Sequence, residues 1–99
     1  MAEVAFSNAA EVDLVEIDEF SVARFGEDVA ETYMHGFDAA FVQLRDFPLA
    51  APLRPEFGNE VRCLVHRQHR ILYNVCGDNV LIFRIIHHSR DAKRALRNE

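Results

Sequence analysis

The sequence predicts a single α+β domain over residues 1–99. It reads as an N-terminal strand, an antiparallel helix hairpin, a three-stranded antiparallel meander and a short basic C-terminal helix or tail. Three observations predict it. Apolar residues recur every three or four positions through the first half, a Pro-rich stretch then interrupts the pattern, and the second half switches to short β-branched and aromatic runs punctuated by turn residues.

Glu3-Val4-Ala5-Phe6 alternates polar and apolar and reads as a short strand that stops at Ser7-Asn8. Ser7 suits an N-cap, because its hydroxyl satisfies one of the backbone N–H groups that a helix start leaves unpaired. A helix over residues 8–24 follows. Its inner stripe is Ala10, Leu14, Ile17 and Ser21, widened by Val15 and Val22, with Glu11, Asp13, Glu16, Asp18 and Glu19 expected to face away.

Gly26 suits the positive-φ residue that ends a helix, and Glu27-Asp28 favour the positive N-terminus of the next one. The stripe of that second helix is Val29/Ala30, Tyr33, Phe37, Ala40/Phe41, Leu44 and Phe47. So short a turn makes the two helices an antiparallel pair. Gly36 costs about 1 kcal/mol relative to Ala inside a helix, so its presence implies close packing against it.

Pro48, Pro52, Pro55 and Gly58 end helical continuation and mark an irregular connector that exposes Arg54-Pro55-Glu56. Three strands are expected after it, over Val61–Val65, Ile71–Val75 and Val80–Ile86, with Gly77-Asp78-Asn79 forming the tight turn before the last. That last strand is apolar on both faces except for Arg84, as a central strand would be. Ser89 or Asp91 can cap a short helical turn over Ala92–Leu96.

Composition narrows the function classes. No apolar run approaches the roughly 20 residues of a membrane span, and MAEVAFSNAAEVD has no basic region leading into an apolar one, so the expected location is the cytoplasm. Cys63 and Cys76 form no CxxC and read as small strand residues. The net charge of −5 is unevenly spread. Residues 1–60 hold three Arg against thirteen acids, whereas residues 61–99 hold eight Lys or Arg against three acids and four of the five His. The basic half is therefore the expected working half, its plain alternative being a solvated sheet face.

The order of elements, with "FSNAAEVDLVEI" at the start, "LRDFP" closing the second helix and "VRCLVHRQHRILYNVCGDNVLIFRIIHHSRDAKRAL" over the meander and tail, resembles ParE-like toxins of the RelE/ParE toxin–antitoxin superfamily across residues 4–96. The resemblance implies the toxin component of a type II toxin–antitoxin system, used in plasmid stabilisation and growth arrest. A ParD-like antitoxin encoded beside it would neutralise it by direct binding as a hetero-oligomer. ParE-type members are described as inhibitors of DNA gyrase, trapping it on cleaved DNA, and RelE-type members as ribosome-dependent mRNA endoribonucleases. Sequence-specific nucleic-acid binding is not expected without the antitoxin.

The residues favour the first branch. RelE-type sites tend to use Lys and Arg on the middle strands with a Tyr or His near the C-terminus, yet Lys93 is the only Lys here and no Tyr follows the last strand. A binding protein without cofactor is thus expected, with Arg84, His87, His88, Arg90, Lys93, Arg94 and Arg97 contacting the target and Tyr33, Met34, Phe37, Phe41 and Phe47 the antitoxin. The alternative is a nuclease in which Glu60, Arg62, Arg70, Arg84, His87 and His88 converge, with Glu60 or His87 as the base, Arg70 and Arg84 clamping phosphate and His88 as the acid. Alternation along the last strand opposes it, since Arg84 and His87 fall on opposite faces unless a bulge intervenes. A metal site from His66, His69, His87 and His88 lacks a completing carboxylate or thiolate, so none is expected.

Overall fold

The computed structural model describes residues 3–89. Strand β1 (Val4–Phe6) leads into α1 (Asn8–Phe25) and α2 (Glu27–Asp46). A 3-10 turn (Pro55–Phe57) sits in the connector, and β2 (Arg62–His66), β3 (His69–Cys76) and β4 (Asn79–His87) follow. The strands form one sheet of order β1-β4-β3-β2, with β1 parallel to β4 and the other pairs antiparallel. This is the α+β architecture expected, with β4 interior. The proposed C-terminal helical turn lies outside the described residues. No helix among the described residues is long and apolar enough to cross a membrane.

The local signals behave as their chemistry requires. Ser7 Oγ accepts from the Ala10 N–H at 3.0 Å and donates to the Phe83 carbonyl at 2.8 Å, so one hydroxyl caps α1 and fixes it to β4. Gly26 alone joins the helices at φ 90°, and Gly77 opens the β3–β4 turn at φ 61°. Gly36 marks the close approach its position implies. A Cβ there would lie 2.6 Å from His66 Nε2, so only glycine lets β2 sit this close to α2.

The sheet is apolar on both faces for a physical reason. Ala10, Phe37, Ala40 and Leu44 of the helices cover one face with Ile71, Tyr73, Val80, Ile82 and Ile85. Phe57 of the connector covers the other, with Val61, Cys63, Leu72 and Ile86. Tyr73 holds the connector down by donating to the Pro48 carbonyl at 2.9 Å.

Two expectations about α1 fail. Val15 and Val22 do not widen the buried stripe but are 58% and 37% exposed, while Asp13, expected to face solvent, is only 8% exposed. The cause lies at the sheet edge. β1 pairs with β4 only as far as Ile82, which leaves the next part of that edge without a strand neighbour among the described residues. Asp13 supplies the missing acceptor: its Oδ2 takes the Ile85 N–H at 2.9 Å and Arg84 Nε at 2.8 Å, and its Oδ1 takes Arg84 Nη2 at 3.2 Å. A side chain thereby continues the pairing that β1 begins.

Candidate functional site

A groove of about 670 Å³ opens between the helix hairpin and the end of the sheet. Ile17, Phe20, Phe25 and Val29 form its apolar wall, and Arg67, Gln68, His69 and His87 its polar one. The polar wall exists because β2 and β3 are joined by Arg67-Gln68 alone, with Arg67 at φ 52°, which starts β3 two residues earlier than its apolar run suggests. His69 then pairs in register with His87, bringing the β2–β3 turn and the end of β4 together.

At the floor, the Tyr33 hydroxyl lies 2.6 Å from His69 Nδ1. Burial, reinforced by the imidazoles of His87, His66 and His88, pushes the pKa of His69 down to about 4. The ring is therefore neutral at physiological pH. Burial pushes the pKa of Tyr33 up, against the backbone N–H of Gln68 and the charge of Arg67.

The other imidazoles surround this pair. The His87 ring sits edge-on to His69 at 5.3 Å and stacks on His88 at 4.6 Å, while His66 packs on Phe37 at 4.5 Å. His87 Nδ1 accepts the Ser89 N–H at 3.1 Å. His88 is exposed, with Nε2 3.2 Å from Gln68 Oε1. Among the described residues, no group of three or more His, Cys, Asp or Glu side chains is placed to share a metal ion.

The six residues of the nuclease alternative do not converge. Glu60 and Arg62 stand at the start of β2, whereas the imidazoles gather past its end, four residues on and about 13 Å away at roughly 3.3 Å per residue. Arg62 donates to the Leu49 and Ala51 carbonyls at 3.3 and 2.7 Å, holding the connector. The Arg70 guanidinium lies over the Phe57 ring at 5.7 Å, on the face away from the helices. Arg84, expected to meet target or phosphate, is 6% exposed and bound to Asp13. A bulge does occur in β4, leaving Phe83 without a register partner between Ile82 and Arg84, but it precedes Arg84 and does not bring it to His87.

The residues expected at the antitoxin surface divide. Phe37 is core at 1% exposure; Tyr33, Met34 and Phe41 are partly buried against it; Phe47 is 65% exposed. The larger exposed apolar surface is instead on α1 and the start of α2, at Val12, Val15, Phe20, Val22, Phe25 and Val29. A signal for it was present, since α1 has apolar residues on every side rather than on one stripe. Arg90, Lys93, Arg94 and Arg97 lie outside the described residues.

Comparison with known proteins gives this geometry a family. Residues 4–92 match the family model described as the ParE toxin of the type II toxin–antitoxin system parDE. No curated protein matches the chain in sequence. Among solved structures, it is similar to the chromosomal ParDE toxin–antitoxin system of P. aeruginosa, at 22% identity and a TM-score of 0.76, covering 88% of this chain and 96% of that one. It is also similar to the toxin–antitoxin complex RelBE2 of Mycobacterium tuberculosis, at 24% identity and 0.57, covering 87% and 96%. YafQ of E. coli follows at 12% identity and 0.58, covering 90% and 96%. At these identities the structural likenesses speak for the fold alone, and it is the match over nearly the whole sequence that settles kinship: the chain belongs to the ParE toxin family of type II toxin–antitoxin systems.

Proposed function

We propose that this chain arrests growth by binding DNA gyrase rather than by cutting RNA, and that a ParD-like antitoxin silences it by filling the groove. The observation that carries the binding reading is the state of Arg84. A phosphate clamp needs a guanidinium free to meet the scissile group, and this one is buried and held by Asp13 on two nitrogens. The surface left for a target is the end of β4, half-buried His87 and exposed His88, together with Arg90, Lys93, Arg94 and Arg97 in the sequence beyond it. For the antitoxin, the groove offers an apolar wall with polar groups opposite, which suits an amphipathic segment.

Replacing both terminal imidazoles tests this. His87→Gln with His88→Gln keeps polarity and removes titration, so toxicity should fall by no more than one contact's worth of affinity. A nuclease would lose about 10²–10⁴ in rate. Collapse of toxicity with fold and antitoxin binding intact would refute the binding reading.

One observation favours the ribonuclease as second reading. A neutral His69 hydrogen-bonded to Tyr33, with His87 beside it and Arg67 on the same wall, is an acid–base constellation open to the groove. Apart from His87, its residues differ from the set the sequence suggested.

A further inference from the structure

Helix α1 has two apolar stripes where a surface helix ordinarily has one. Ala10, Leu14, Ile17 and Ser21 turn towards the sheet. Val12, Val15 and Val22, spaced by three and seven, form the second, and they are 54%, 58% and 37% exposed. Glu11, Glu16, Asp18 and Glu19 surround them, all exposed, and Arg24 is the only base in the helix. An apolar strip rimmed by charge of one sign is the mark of a protein contact.

The chemistry of the strip selects its occupant. A ridge with helical spacing packs best against another helix, and the ten steps from Val12 to Val22 rise about 15 Å, enough for nearly three turns of a partner. That partner must carry positive charge around an apolar stripe. A second copy of this chain would set Glu16 and Glu19 against their own kind, which opposes self-association. The strip also continues from the groove, since Phe20 and Phe25 of the same helix line it.

We infer that the outward face of α1 docks a cationic amphipathic helix of the antitoxin, lying alongside the segment that fills the groove. This rests on the antitoxin reading above. The antitoxin thus grips α1 from both sides, and its charge there is opposite to that of this acidic helix.

The test measures affinity between the purified toxin and the antitoxin encoded beside it, at low and high salt, for three forms of the toxin. Wild-type toxin should bind, more weakly as salt rises. Glu11→Lys/Glu19→Lys, which leaves the groove lining untouched, should bind about tenfold or more weakly, with the salt dependence reduced or reversed. Val12→Ser/Val15→Ser should lose about tenfold with the salt dependence retained. All four positions are exposed, and unchanged circular dichroism confirms that the fold survives. Wild-type affinity and salt response in both variants would overturn the inference while leaving the antitoxin reading standing. No binding by the wild-type chain would overturn both. A free toxin that dimerises, and loses the dimer in the valine variant, would overturn the antitoxin assignment in favour of a second copy.

Discussion

Removing the Asp13 carboxylate should be among the most destabilising single changes available to this chain. Asp13→Ala leaves the Arg84 guanidinium buried without its carboxylate and strips the Ile85 N–H of its acceptor. Breaking a buried pair from one side costs about 3–5 kcal/mol. The Ile85 N–H, left without a partner, adds about 1–3 kcal/mol. Against a total stability of about 5–15 kcal/mol, such a loss leaves a marginal fold. At roughly 4–8 °C per kcal/mol for a domain of this size, the melting temperature should fall by at least about 12 °C. The double change Asp13→Leu/Arg84→Met should be clearly more stable than Asp13→Ala, because an apolar pair removes both of these buried charges while the Ile85 N–H still lacks its acceptor at a cost of about 1–3 kcal/mol. Urea unfolding followed by circular dichroism measures both. A loss below about 1 kcal/mol in Asp13→Ala, or a double variant no better than the single, would refute the claim that this carboxylate holds the edge of β4.

Three further outcomes are expected. Gly36→Ala should destabilise by about 1–3 kcal/mol despite alanine's better helix propensity, because the new methyl meets the His66 imidazole; a thermal melt that rises instead would contradict the close approach. Stability should fall as pH drops from about 6.5 towards about 4, where the unfolded chain protonates His69 and the folded one does not; this contribution is complete above the upper value, and His69→Gln should flatten the urea midpoint across that window, an unchanged slope being the contrary result. Deleting the residues after Arg90 should leave a folded, antitoxin-binding protein that no longer arrests growth, as a pull-down and a growth assay would show, and a truncated chain that still kills would move the toxic surface onto the described fold.

What was legible in the sequence was whatever depends on near neighbours. Ser7 caps, Gly26 and Gly77 turn, Gly36 marks a contact and the apolar run of β4 marks an interior strand, because each expresses a local backbone or burial requirement. What was hidden depends on where unrelated segments end. Asp13 looked like one more acid on a polar flank, since its partner is 71 positions away and becomes its partner only because β1 stops at Phe6. Arg84 looked available for the same reason. His69 lies ahead of the apolar run of its strand, and only the tight Arg67-Gln68 link places it opposite His87. The exposed stripe of α1 was misassigned because a pattern apolar on all sides fixes no face, and packing alone decides which valines meet the sheet.

If this ParE-family chain poisons gyrase by binding, as proposed, one paired assay shows it most directly. Purified toxin is mixed with gyrase and supercoiled plasmid in one tube and with ribosomes and mRNA in another, each with and without antitoxin. A gyrase poison gives cleaved plasmid trapped with gyrase, suppressed by antitoxin, beside intact mRNA. Cut mRNA in the ribosome tube, with plasmid and gyrase unaffected, would contradict it and transfer the function to Tyr33, His69 and His87.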